Sequence, residues 1–282
     1  MNADSRNDPW VSVVGQQWQP PEIDVSVPHP VRMWDYMIGG KDHYLSDRAA
    51  VDYLATLWPN IFLSARAAEA YAERAAAWLA GGQGMTQFLQ LGCAIPLKTP
   101  LDGIVHDHAP EAPYVYVTDD PITAVHARAV LTARSRGPMH VELGEWRDPA
   151  PILASPRLRE LLDFSRPVGV MLVGSVDYTL STERARQAVV DIMEALAPGS
   201  LVVVLHHLEF PPEIGRAVLG AMGDNPAQFR PRSEKDVAAL FEGFEFLPPG
   251  LVRATDWMPD GNGPGHEFAE RCDKLGGVLI KR

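Results

Sequence analysis

Two runs constrain this chain more than anything else in it. Val168–Val173 (VGVMLV) and Leu201–Leu205 (LVVVL) are apolar at almost every position. A strand with one wet face alternates polar and apolar residues; an unbroken apolar run of five or six must be covered on both faces. Such strands occupy the centre of a parallel sheet with helices packed on either side. Around them the pattern alternates between candidate strands at Thr86–Leu91, Tyr114–Thr118 and His140–Leu143 and candidate helices at Pro121–Arg134, Pro156–Phe164 and Thr182–Leu196. That alternation is the mark of a doubly wound α/β architecture. A helix near Ser233–Phe241, a strand near Phe244–Val252 and a last strand at Gly277–Lys281 complete it. Pro248-Pro249 places the penultimate strand at an edge or a bend. The fold class is therefore α/β, with a seven-stranded, mainly parallel, Rossmann-like sheet. Ahead of it, Asp47–Trp58 and the Ala-rich Asn60–Leu79 read as helices, the second closed by Gly81-Gly82. The expected organisation is an N-terminal arm over residues 1–27, a helical segment over 28–82 covering the ligand cleft, and the α/β core over 83–282.

The 282 residues, 46% of them hydrophobic, suffice for one substantial core. A formal charge of −11 argues against a partner whose phosphates need neutralising. Small molecules are the expected ligands, with a partner protein or a homodimer as open alternatives and neither nucleic acid nor membrane. Cys93 and Cys272, the two cysteines, form no metal-spaced pair, and the N-terminus carries Asp4, Arg6 and Asp8 where a secretory leader would be apolar. A cytoplasmic protein is expected.

The segment Pro28 to Tyr44 (PHPVRMWDYMIGGKDHY), followed by Asp47-Arg48-Ala49-Ala50, carries a dense signature: Arg32, Asp35, Tyr36, Gly39, Gly40, Lys41 and Asp42. Further along come Phe88-Leu89, Gly92, Pro96, Asp120-Pro121, Arg147-Asp148-Pro149, Ser165-Arg166-Pro167, Ala197-Pro198-Gly199-Ser200, Phe241-Glu242-Gly243-Phe244 and Pro249-Gly250-Leu251-Val252. In this series the chain resembles an S-adenosylmethionine (SAM)-dependent methyltransferase-like family of high-GC soil bacteria, formerly a domain of unknown function. The resemblance covers roughly residues 28 to 260. It implies the class I methyltransferase fold and a cofactor site at the carboxyl ends of the first strands.

At that site the chain departs from the family. The first strand of the family ends in Asp-x-Gly-x-Gly-x-Pro; here Gln90 replaces the carboxylate and Ala94 the second glycine, leaving Gly92 and Pro96. The family's ribose-binding Asp becomes Thr118, ahead of Asp119 and Asp120; the Asp near adenine becomes Glu145, before Trp146; and a His-Phe pair becomes Asp177-Tyr178. A hydrogen bond to a charged group contributes about 1.5 to 3 kcal/mol, so two such losses weaken binding a hundredfold or more. The expectation drawn from these changes is a small-molecule enzyme of specialised metabolism that no longer uses SAM and catalyses an intramolecular substitution or cyclisation. Asp177, Asp35 or Asp119 would act as base or amine anchor, and Tyr178 would hydrogen-bond a leaving group or developing anion. Arg32, Tyr36, Lys41 and Asp42 would line a lid, and Gly92, Ala94, Thr118, Asp120, Glu145, Trp146 and His206 the ligand site. No resident cofactor is favoured. The alternatives are a conventional SAM-dependent methyltransferase, with SAM as cofactor and Asp119 and Glu145 as substitute acceptors, and a non-catalytic member that binds a partner protein. His206 and His207 with Glu209 invite a metal, but adjacent strand residues point to opposite faces, so none is expected.

Overall fold

The computed structural model describes residues 24–92, 100–119, 121–179, 181–221, 229–258, 260–261 and 263–282. Most of the expected arm lies outside the described residues. Eight strands form one sheet: β1 (Phe88–Leu91), β2 (Tyr114–Thr118), β3 (Met139–Leu143), β4 (Gly169–Val173), β5 (Leu201–His207), β6 (Glu245–Phe246), β7 (Val252–Arg253) and β8 (Lys274–Ile280). Their order is β3-β2-β1-β4-β5-β8-β6, with β7 also on β8. The first five run parallel and β8 lies antiparallel to β5. The strand expected over Phe244–Val252 is two short pieces, because Pro248-Pro249 and Gly250, at φ +94°, turn the chain between them. Both pieces pair with the outer edge of β8, so together they fill the seventh strand position.

The order reverses between β1 and β4, the place where a doubly wound sheet opens a crevice beyond its carboxyl ends. Side chains alternate along each strand and build two cores. On one face Phe88, Tyr114, Tyr116, Met171 and Val203 meet α3 (Ile61–Ala77), α4 (Leu101–His108) and α5 (Pro121–Arg134). On the other Leu89, Val115, Val170, Leu172 and Val202 meet α8 (Thr182–Ala195) and α10 (Glu234–Leu240). The other helices are α1 (Pro30–Met37) and α2 (Leu45–Leu57) ahead of the sheet, and α6 (Pro149–Ala154), α7 (Pro156–Leu161) and α9 (Pro212–Ala221) between its strands.

The alanines of α3 bring the helix close to the sheet. Tyr71 crosses the gap and donates its hydroxyl to the Val204 and Gly277 carbonyls, each at 2.9 Å. Gly276 has to be glycine, since a Cβ there would lie 2.6 Å from the Tyr71 ring. The N-terminal helices are pinned to β8 by Lys274, which is 1% exposed. Its ammonium donates to Ser64 Oγ at 2.9 Å and to Asp273 at 3.0 Å, and sits about 6 Å from the ring centres of Trp34 and Trp58. Met33, Val51, Leu54 and Ile61 then close over Val218 and Phe229, which places the helical segment next to the carboxyl end of β5. Among the described residues no helix is long and apolar enough to cross a membrane.

Candidate functional site

The N-terminal signature is largely occupied with its own folding. Asp47, fully buried, accepts from the backbone amides of His29 and Tyr44 and from Arg32 Nε, all at 2.8 Å. Burial alone would push its carboxyl up; the Arg32 guanidinium and the two amides more than offset that and hold it below the usual carboxylate range. Asp35 is 1% exposed, and its carboxylate takes the Asp42 amide at 2.7 Å and lies 2.9 Å from His43 Nδ1. Gly40 leaves room for that carboxylate: a Cβ would fall 1.7 Å from Asp35 Oδ1. Tyr36 donates to Asp52 at 3.0 Å and packs its ring against His43 and Phe62. Lys41 and Asp42 are exposed. Asp35, expected as a base or amine anchor, and Arg32 and Tyr36, expected to line a lid, have side chains engaged in holding the turn and helices together.

At the crevice β1 is followed by Gly92, with φ +79° and its amide donating to the Val117 carbonyl at 3.0 Å. A Cβ at Gly92 would meet Ser175 Oγ at 2.5 Å, and that hydroxyl donates to the Leu91 carbonyl, so the β1 and β4 loops touch here. Gln90 is buried, and its side-chain carbonyl accepts from the Tyr114 hydroxyl at 2.8 Å. Ala94 and Asp120 lie outside the described residues. Thr118 is 2% exposed and stays within the sheet. Asp119 is the first side chain beyond β2 to emerge, with its carboxylate 41% exposed. Arg147 bridges it to Glu145, hydrogen-bonding both carboxylates and donating to the Tyr178 carbonyl at 3.1 Å. Burial works against the Arg147 charge, but Glu145 and Asp119 outweigh it and raise its pKa. Trp146 is 3% exposed and belongs to the core on the α8 face.

The β4 loop is built around Asp177, which is fully buried. Its Oδ1 accepts the His207 amide at 2.9 Å and lies 3.0 Å from His206 Nδ1, and its Oδ2 lies 2.5 Å from His207 Nδ1. Arg232, 2% exposed, places a guanidinium nitrogen 2.8 Å from His206 Nε2. Arginine only donates, so His206 Nε2 accepts and its proton sits on Nδ1, toward Asp177. Burial by itself would push the Asp177 carboxyl up; His206 and His207 more than offset it and hold it far below the ordinary carboxylate range. A carboxyl so depressed is a weak proton acceptor. His206, at 1% exposure and with both ring nitrogens engaged, is an interior residue. Tyr178 is 37% exposed with its ring 5.4 Å from Phe229.

His206 and His207, expected on opposite faces of the strand, both bring Nδ1 to the one Asp177 carboxylate at the end of β5. Sequence reasoning missed His207, Arg147 and Arg232 as members of the site. A signal for His207 was present in its position at the end of the most apolar strand. Among the described residues no group of three or more His, Cys, Asp or Glu is arranged to hold a metal ion.

A pH dependence follows from Asp177. Its folded pKa is depressed, so its contribution to stability is present above the unfolded value of about 3.9 and is lost as pH falls from there toward the folded value. The gap in melting temperature between the protein and Asp177→Asn is expected to narrow as pH drops from 7 to below 4. Calorimetric melts across that range measure it.

A reversed parallel order, an antiparallel final strand in the sheet and a glycine-bearing β1 loop define a class I methyltransferase fold. A family model for S-adenosyl methyltransferases matches residues 16–282. The chain belongs to that family. A DUF574 family protein from Streptomyces avermitilis is 32% identical over 92% of this chain and 99% of its own, with a TM-score of 0.82. A candidate methyltransferase from Thermobifida fusca is likewise 32% identical, over 94% of this chain and 99% of its own, with a TM-score of 0.79. No curated protein matches the chain.

Proposed function

We propose that this chain is a SAM-dependent methyltransferase acting on a small-molecule nucleophile, the reading that the sequence alone ranks below SAM-independent cyclisation. The observation that carries it is Asp119, a carboxylate leaving the sheet directly beyond β2, with one oxygen fixed by Arg147. Membership of the S-adenosyl methyltransferase family supports the same reading.

The residues present fit the cofactor. Gly92 lets the loop after β1 close against Ser175 of the β4 loop at the mouth of the crevice, and Asp119 supplies a charged acceptor for ribose hydroxyls in place of the uncharged Thr118. Arg147 Nη2 holds Asp119 in position through a charge-assisted hydrogen bond, and Glu145 anchors the guanidinium by accepting from Nε and from the same Nη2. SAM, when bound, supplies an electrophilic methyl group on a sulfonium. The protein's part is to bind and orient the nucleophile against it and to exclude water.

Isothermal titration tests this. SAM is expected to bind the protein, and Asp119→Ala to weaken binding ten- to hundredfold, the loss of about 1.5 to 3 kcal/mol for a hydrogen bond to a charged group. Absence of SAM binding by the unaltered protein would transfer the site to SAM-independent substitution or cyclisation. Two contacts favour that second reading: Gln90 is occupied by Tyr114, and Arg147 already spans both acceptors.

A further inference from the structure

We infer that His207, held by Asp177, is the general base of this site, and that the acceptor it serves is a hydroxyl on an aromatic ring. The inference rests on the methyltransferase reading for the identity of the electrophile, and on the geometry of β5 and the β4 loop for the base itself.

The two histidines at the end of β5 share one carboxylate but differ in what remains to them. His206 is sealed in, with Arg232 donating to Nε2 and Nδ1 turned to Asp177 and to the His207 carbonyl. His207 gives only Nδ1 to Asp177, at 2.5 Å, and its side chain stays 15% exposed. An ionised carboxylate accepts, so His207 carries its proton on Nδ1 and presents the Nε2 lone pair outward. The tautomer is fixed twice over, because the His207 amide also donates to Asp177 and locks the carboxylate relative to the ring's own backbone. Arg232 occupies the second ring nitrogen of His206, so His207 Nε2 is the proton-accepting nitrogen that this group leaves open.

The rings around His207 describe the acceptor. The Phe229 ring stands edge-on to His207 at 5.2 Å and tilted to Tyr178 at 5.4 Å, which gives the imidazole an aromatic wall. Phe229 in turn packs with Met33, Val51 and Leu54, so the N-terminal helices stand behind that wall. Phe229 is itself buried, and the ring of this wall that stays open is Tyr178, 37% exposed; an aromatic face beside one proton-accepting nitrogen suits a phenol-like group. In the step itself the O–H bond of the acceptor breaks as its proton passes to His207 Nε2. The oxygen forms a bond to the methyl carbon, and the sulfur–methyl electron pair returns to sulfur. Asp177 holds the imidazolium until the proton leaves to solvent. General bases of this kind contribute about 10² to 10⁴ in rate.

The test uses 4-nitrophenol, whose phenolate absorbs in the visible, mixed with the full-length protein without SAM at a pH where the free probe is mostly neutral. The protein is expected to raise the phenolate fraction severalfold, and His207→Gln to return it to the free-probe level while its melting temperature stays close to that of the parent. Asp177→Asn is expected to lower the phenolate signal as well; should that variant unfold, His207→Gln alone decides. No phenolate signal with the unaltered protein, or an undiminished one in His207→Gln, overturns the inference. Titration with SAM is read separately: a phenolate signal without SAM binding removes the methyl-transfer reading and leaves the base, and SAM binding without a phenolate signal does the reverse.

Discussion

Asp177→Ala is expected to destabilise the fold by about 3 to 5 kcal/mol, the usual cost of removing one partner from a buried charged group. For a chain of this size that lowers the melting temperature by on the order of 10 °C. The carboxylate has no solvent to fall back on, and three donors converge on it: the His207 amide, His207 Nδ1 and His206 Nδ1. Behind His206 stands Arg232, itself buried and also donating to the carbonyls of Val176, Thr179 and Arg230. Alanine leaves that cation without the buried carboxylate beside it and the His207 imidazole proton without an acceptor, while His206 Nδ1 keeps only the His207 carbonyl. Asp177→Asn keeps the shape but offers one oxygen and an NH2 group, so one imidazole must turn or change tautomer. Its cost is expected to be smaller than that of alanine. Thermal melts of the two variants at pH 7 give the order directly.

Gly92→Ala is expected to cost about 3 kcal/mol and to abolish ligand binding at the crevice. Two penalties coincide at this residue. A side chain at φ +79° sits in the left-handed region, which costs of order 1 to 3 kcal/mol when the surroundings enforce it. The added methyl also meets Ser175 Oγ at 2.5 Å and its Cβ at 2.7 Å, so the β1 and β4 loops must separate. That separation breaks the Ser175 to Leu91 hydrogen bond and moves the start of the loop after β1. Denaturant titration measures the first effect and SAM calorimetry the second.

The central strands were readable because their burial is written in composition: five or six apolar residues without alternation have one structural solution. β2, α5 and α8 followed from clear periodicity between turn residues. α1 falls within the expected helical segment but was not separated from it: its start carries Pro30 and a His29 ring nitrogen accepting the Val31 amide, an unusual cap, while Asp47 fixes the His29 amide from a distance. α4, α6 and α9 are short and carry Gly103, Pro151 or Gly215 inside them, so propensity argues against each. β8 begins three residues before the expected Gly277, since a lysine reads as surface until Trp34, Trp58, Ser64 and Asp273 are found around it. The site divides in the same way. That Asp177 and Asp119 stand at strand ends was legible. Which of them is buried, and that His207 rather than Asp177 keeps an open proton-accepting nitrogen, depends on how the ends of β4 and β5 curl toward each other.

A crystal structure of the protein soaked with S-adenosylhomocysteine tests the central claim most directly. The expected result is ligand at the carboxyl ends of β1 and β2, with the ribose hydroxyls within hydrogen-bonding distance of Asp119 and Arg147 still held by Glu145. A crevice that stays empty at saturating ligand, with Arg147 bridging Asp119 and Glu145 unchanged, would contradict it.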